Sequence, residues 1–227
     1  MASLGDSPVA LSALLGSHAS PEAEPDDAAI PQPIRHALID AGRRMDARTW
    51  VPATAGNLSH RLGPNRIAIT RSGCHKGHLT DDDIIEVDDS GAPLGPHRPS
   101  AETLLHCQIY QHLPHINAVL HGHSLAATVL SRLAGPSIEL SDYEVLKAFP
   151  AIRTHQATIA VPVFDNDQHM PSLAARIAPH FAAGLPAGYL IRGHGAYAWG
   201  EDMPTALARL EALEFLLACD LEHRKCR

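Results

Sequence analysis

The chain has no block of basic residues, no long apolar run and no closely spaced cysteine pair, and each gap removes a class of function. Its 18 Lys and Arg residues are scattered among 25 Asp and Glu. A formal net charge of −7 and a pI near 6.1 give no electrostatic footprint for nucleic acid. The apolar stretches are far too short to span a bilayer. No basic region precedes the small apolar stretch from Pro8 to Leu15, so it does not read as a signal peptide. The four cysteines, Cys74, Cys107, Cys219 and Cys226, have no short paired spacing. That points to reduced thiols in a cytoplasmic protein, not to a disulfide framework or a thiolate zinc knuckle. There is no P-loop, no dinucleotide fingerprint and no internal repeat.

What the chain has in quantity is histidine, sixteen in 227 residues. Most, such as His18, His36, His97, His169, His180 and His223, lie in polar or loop-like surroundings and read as solvated. Three differ. In Ala118-Val-Leu-His-Gly-His123 an apolar run leads into His121, and His123 follows two residues later. On a strand, residues two apart share a face. His194, in Arg192-Gly-His-Gly195, also follows an apolar run, Tyr189-Leu-Ile191. Three imidazoles with one position left open describe a catalytic metal site. The alternative is a pair of sheet histidines satisfied by backbone partners. The residues do not choose among zinc, iron, nickel, cobalt and manganese, since imidazole suits several of them.

Residues 1–30, rich in Ala, Ser, Pro, Asp and Glu, read as a mobile tail, and residues 31–227 as one domain. Helical spacing begins at Ile34 after Pro33 and stops before Pro52. Strands are predicted over 57–62, 66–70, 84–87, 116–121, 158–161, 189–191 and 196–199. Ser100 is expected to cap a helix running from Ala101 to about His112, and Ser124 one through Arg132. A helical turn covers Asp142 to Phe149, a helix carries Leu173, Ile177 and Phe181, and a last helix runs from Met203 to about Glu222. Hairpin partners among the strands argue for a mixed, mostly antiparallel sheet between helix layers.

A metal that polarises a carbonyl acidifies the adjacent C–H, and a nearby group must then carry the proton. Glu102, at the start of the helix before the histidine strand, is one candidate. Glu144, in the turn after it, is the other. Helix-dipole stabilisation for Glu102 and a surface pair with Lys147 for Glu144 are the competing readings. Small-residue loops around Gly56-Asn57-Leu-Ser59 and Ser72-Gly73 to Lys76, with Ser100, offer backbone N–H groups and side-chain donors to a phosphate. Each loop taken alone could also be an ordinary turn.

Ala55-Gly-Asn-Leu-Ser59, Ile69-Thr-Arg-Ser-Gly73, Pro99-Ser-Ala-Glu-Thr103, His121-Gly-His123 and Gly193-His-Gly195 occur in the order seen in the class II aldolase/adducin family, which the chain resembles over roughly residues 33 to 224. Within it, Lys76 to Ile84, Pro99 to His106, His121 to Arg132 and Tyr143 to Lys147 resemble the methylthioribulose-1-phosphate dehydratases of methionine salvage. The resemblance implies a three-layer α/β/α fold and a homotetramer with active sites between subunits. It implies one divalent metal per subunit, usually zinc, on His121, His123 and His194. It implies a sugar-phosphate substrate held by Gly56, Asn57, Ser59, Ser72, Gly73, Ser100 and Lys76. The implied reaction removes water from 5-methylthioribulose 1-phosphate, with an aldolase or epimerase on another ketose phosphate as the alternative. The acid/base glutamate of the dehydratases matches Glu144, and that of the aldolases matches Glu102.

Overall fold

A computed structural model describes residues 29–185 and 188–226. Most of the expected N-terminal tail, residues 1–28, lies outside the described residues. The elements in order are α1 (Gln32–Ala47), β1 (Asn57–Gly63), β2 (Arg66–Thr70), β3 (Ile84–Val87), α2 (Thr103–His112), β4 (Ala118–Gly122), α3 (Leu125–Leu133), β5 (Ser137–Ser141), β6 (Thr158–Phe164), α4 (Met170–Ala183), β7 (Tyr189–Ile191), β8 (Gly195–Gly200) and α5 (Met203–Lys225). Short 3-10 turns cover Lys76–His78, Asp81–Asp83 and Glu144–Ala148.

The strands form a single eight-stranded sheet in the order β3-β2-β1-β4-β8-β7-β6-β5. Every pairing is antiparallel except β6 with β7. This is the expected mixed, mostly antiparallel sheet. Alternation along the strands feeds two apolar faces. Ile67, Ile69, Val119, Tyr189, Tyr197 and Trp199 pack under α2 and α4 through Leu105, Ile109, Leu173, Ile177 and Phe181. The opposite face packs against α1, α3 and α5. The sheet is therefore the middle of three layers.

Two elements depart from expectation. The strand β5 follows Gly135-Pro136 where the sequence shows no strand signal, although its burial alternates; among the described residues it pairs with β6 alone and forms the sheet edge. The helix α2 begins at Thr103 instead of Ala101. The Ser100 hydroxyl, expected as its cap, accepts from the Asn57 amide at 3.1 Å and only at 3.4 Å from Glu102 N–H, the residue before the helix.

Local chemistry sets the helix ends close to the chemistry below. Ser124, immediately after His123, caps α3 by accepting from Ala127 N at 3.0 Å. The same hydroxyl donates to Glu214 of α5. Glu214 is sealed in the interior, its other oxygen has no partner, and burial pushes its carboxyl up to about 7. A carboxyl raised in the fold favours the protonated protein. Stability from this group is therefore complete below the ordinary value of about 4.5 and falls as pH rises through about 7. Glu214→Gln is expected to remove that loss. The gap in unfolding free energy between wild type and variant, from denaturant titrations, should shift by about 3 kcal/mol between pH 5 and pH 8. A gap independent of pH would show that Glu214 is not titrating in the fold.

Candidate metal centre

The site grows out of strand register. Across the sheet, Asn57 of β1 stands opposite His121 of β4, and His121 stands opposite Tyr197 of β8. One row of side chains thus crosses three strands beneath α2. Tyr197 stacks on the His121 ring, 4.0 Å between centroids and 15° between planes. His123 lies one residue past the end of β4, its N–H held by Trp50 O at 2.6 Å. His194 sits in the tight turn between β7 and β8, where Thr128 Oγ1 of α3 donates to its carbonyl at 2.9 Å. His123 and His194 rings are 4.5 Å apart.

The three predicted histidines therefore meet, and Glu102 joins them. One ligand atom from each of Glu102, His121, His123 and His194 lies within 4.8 Å of the others. His194 Nε2 is 2.8 Å from Glu102 Oε1, and His121 Nε2 is 3.2 Å from Oε2. Glu102 also accepts from Asn57 Nδ2 at 2.7 Å and Tyr197 O–H at 3.2 Å. It is the N-cap residue of α2 but makes no capping bond, so its carboxylate serves the cluster and not the helix. Burial alone would raise this carboxyl; the neighbouring His121, then His194, outweigh burial and hold it well below the carboxylate range.

The donor set fits a divalent cation. The Nδ1–H of His121 donates to Ala196 O at 2.9 Å, which fixes the tautomer and turns the Nε2 lone pair into the cluster. That nitrogen is buried without a hydrogen-bond partner and faces a carboxylate oxygen. Two acceptors at that range repel unless a positive charge lies between them. Burial, then the neighbouring imidazoles of His121 and His194, push His123 down to about 3, so its ring is neutral and able to ligate.

A close approach at Gly195 holds the cup together. A Cβ there would overlap the Gly122 carbonyl and stand 3.1 Å from His121 Cε1. Gly195→Ala is expected to cost about 1–3 kcal/mol of stability through overpacking and to weaken divalent-metal binding in a chelator-competition titration. Wild-type affinity in that variant would mean that β4 and β8 can separate without disturbing the histidines.

The phosphate candidates divide. Arg71 bridges to Pro99, and Ser72 N–H donates to Arg98 O, so Ser72 and Gly73 lie beside Ser100. Ser72 and Gly73 are exposed and Ser100 is half-buried. Lys76 is buried, and its ammonium donates to Thr54 O at 2.9 Å and Cys74 O at 2.7 Å. It ties the Gly56 loop to the Gly73 loop from behind. Gly56 itself is buried, with φ +76° and His121 O only 2.8 Å from where a Cβ would stand, so only glycine fits. Ser59 is placed otherwise than expected. It shares the inner face of β1 with Asn57, is fully buried, and its hydroxyl is engaged by His106 and Tyr110.

Glu144 is not brought to the cluster by its own chain. It follows the edge strand β5, four strands from β4, on the order of 20 Å at the usual strand spacing. Its side chain is 69% exposed and pairs with Lys147. Two residues that the sequence reading left without a role, Tyr197 and His106, do reach the site. The signal for His106 was its i,i+4 spacing from Glu102 on one helix face. Tyr197 is placed by cross-strand register, which no local pattern announces.

Comparison with known proteins agrees with this geometry. A profile of the Class II Aldolase and Adducin N-terminal domain matches residues 36–221. The chain is 60% identical over 190 residues to a methylthioribulose-1-phosphate dehydratase of Gluconacetobacter diazotrophicus, covering 83% of this chain and 92% of that one. It is 61% identical over 192 residues to the dehydratase of Acidiphilium cryptum, covering 84% and 90%. Among solved structures it is similar to the L-fuculose-1-phosphate aldolase of Thermus thermophilus, with a TM-score of 0.67, 26% identity and coverage of 84% and 94%.

Proposed function

The chain belongs to the class II aldolase and adducin family, and within it we propose that it acts as a methylthioribulose-1-phosphate dehydratase. The observation that carries this is 60–61% identity to dehydratases over more than four-fifths of the chain, because the geometry alone would serve an aldolase too. The substrate is 5-methylthioribulose 1-phosphate and the products are 2,3-diketo-5-methylthiopentyl 1-phosphate and water, a step of methionine salvage.

His121, His123 and His194 would hold the cation, zinc in our reading, with Glu102 beside them. When bound, the ion withdraws electrons from the C2 carbonyl and so acidifies the C3–H. The chain supplies the rest. The exposed loop at Ser72 and Gly73, with Ser100 and the Asn57 amide, anchors the phosphate. Lys76 places a positive charge behind both loops, and Gly56 lets the backbone pass close to β4. Anchoring the phosphate sets the sugar carbons at a fixed distance from the histidine cup.

Glu102 Oε2 accepts from Asn57 and Tyr197, and the carboxylate lies against the imidazoles of the cup, so we assign proton transfer to Glu144, delivered by a second copy of the chain in a homotetramer. Its carboxylate takes the C3 proton. The electrons released form the C2–C3 enediolate and expel the C4 hydroxyl, which receives a proton from the same glutamate and leaves as water. The resulting C3 enol gains a proton at C4 and loses one from oxygen, giving the 2,3-diketone.

The four cysteines are free, which suits a cytoplasmic setting. No helix among the described residues is long and apolar enough to cross a membrane. The test is incubation of the metal-loaded protein with methylthioribulose 1-phosphate. Release of water with an intact five-carbon diketone is the expected result. Cleavage between C3 and C4 would replace this reading with the aldolase one, in which Glu102 carries the proton.

A further inference from the structure

A buried polar chain runs from Tyr110 through Ser59, His106 and Asn57 to Glu102, and its Ser59 and His106 are fully buried. Its direction can be derived from the carboxylate end. Glu102 accepts, so the amide nitrogen of Asn57 faces it, at 2.7 Å, and also faces Ser100 Oγ at 3.1 Å. The amide oxygen of Asn57 then points at His106 Nε2, and an oxygen acceptor there requires Nε2 to carry the proton. Burial pushes His106 down to about 3, so the ring is neutral and Nδ1 is an acceptor. Ser59 O–H must therefore donate to Nδ1, at 2.7 Å. Its oxygen is left to accept from Tyr110 O–H at 2.8 Å. Each donor has one acceptor, and no member can be reversed without confronting two like groups.

We propose that His106 is a positioning residue, which locks the Asn57 amide so that its N–H groups face Glu102 and Ser100 together. The lock matters because an amide can rotate by half a turn at little steric cost. Rotated, Asn57 would set its oxygen against the Glu102 carboxylate and turn its N–H away from Ser100, whose hydroxyl would keep only the longer bond from Glu102 N–H at 3.4 Å. A single imidazole in the core thus sets both the carboxylate beside the histidine cup and the hydroxyl beside the phosphate loops. His106 Nε2 is the only partner that the described residues offer to the Asn57 oxygen. Tyr197, packed edge-on to His106 at 5.6 Å and stacked on His121, keeps the ring from tilting away.

This rests on the divalent-cation site proposed above, so the test has one arm that needs no metal. In the metal-free protein, nitrogen-15 NMR of histidine is expected to show His106 neutral from pH 5 to pH 8 with the proton on Nε2. A proton on Nδ1 would overturn the proposal. In the second arm, cobalt is titrated into wild type, His106→Phe and Ser59→Ala, with inorganic phosphate measured as an inhibitor in each. His106→Phe keeps the ring volume and removes the lock; its cobalt affinity should fall about 10- to 100-fold with an altered cobalt absorption band, and phosphate should inhibit less strongly. Ser59→Ala should move all three readouts in the same direction by less, and it serves if the phenylalanine variant does not fold. His106→Gln, whose amide can still donate to Asn57, should recover part of the loss. Unchanged cobalt affinity, spectrum and phosphate inhibition in the folded variants would show that His106 only fills space. Failure of wild type itself to bind cobalt would fall on the cation site, and the tautomer would then decide the lock alone.

Discussion

Replacing His121 by alanine is expected to lower kcat/KM by at least about a thousandfold, since the electrophile and not merely a contact is lost, and to leave the protein with far less than one divalent ion per chain. Of the three histidines this one should matter most. It is the only fully buried one, it is oriented by the Ala196 carbonyl, and it is clamped between Tyr197 and the Glu102 carboxylate. A catalytic site of three protein ligands reduced to two loses both affinity and geometry. The fold should survive, because the row around His121 still has Asn57 and Tyr197 in register, although a cavity and a less well partnered Glu102 remain. Metal added to wild type at about a thousand times its dissociation constant should stabilise the fold by about 4 kcal/mol. The alanine variant should show no such rise in its melting temperature. Metal analysis, a melt with and without added ion, and turnover form one experiment. Full metal content with normal turnover would remove His121, and the cup with it, from the site.

The parts of the molecule that were legible in sequence are those whose cause is local. Ser124 could be read as a cap because the hydroxyl and the helix it caps are neighbours. His121 and His123 could be read as one cluster because strand period places them together. The apolar stripe at Leu207, Leu210, Leu213, Leu217 and Leu221 marks α5 for the same reason, and all but Leu207 are buried. The unread parts have tertiary causes. The strand β5 is five residues long and is defined by pairing with β6 alone. Glu102 looked like a residue serving its own helix dipole until α2 was laid over the row containing Asn57, His121 and Tyr197. Ser59 shows the other kind of error. Its loop reads as an anion site, yet alternation from Asn57 puts Ser59 on the inner face of β1, where its hydroxyl is buried against His106 and Tyr110.

The placement of Glu144 separates the two chemistries open to this scaffold, and it leads to an outcome that a single-chain site could not give. Glu102 lies against the imidazoles of His121 and His194, and its Oε2 accepts from Asn57 and Tyr197. A carboxylate so engaged orients and balances charge more readily than it collects a proton from carbon. Glu144 pairs with Lys147, with His155 nearby, at the surface and beyond the reach of its own cup. If it carries the C3 proton, it does so for a neighbour. Glu144→Gln should then lower kcat by about 10²- to 10⁴-fold with metal content unchanged, while His121→Ala is inactive for the different reason argued above. Co-expressing the two variants should restore activity. In a mixed ring, a cup from a Glu144→Gln chain can be served by the intact Glu144 of a His121→Ala neighbour. With random assembly of equal amounts, about one site in four is complete, so about a quarter of native activity should return. A site built within one chain allows no complete site in any mixture, because every chain carries one defect. Recovery to about a quarter, measured on the purified mixed assembly against each variant alone, therefore establishes both the shared site and the origin of the proton carrier. No recovery, together with loss of turnover in Glu102→Gln and not in Glu144→Gln, would return the proton to Glu102.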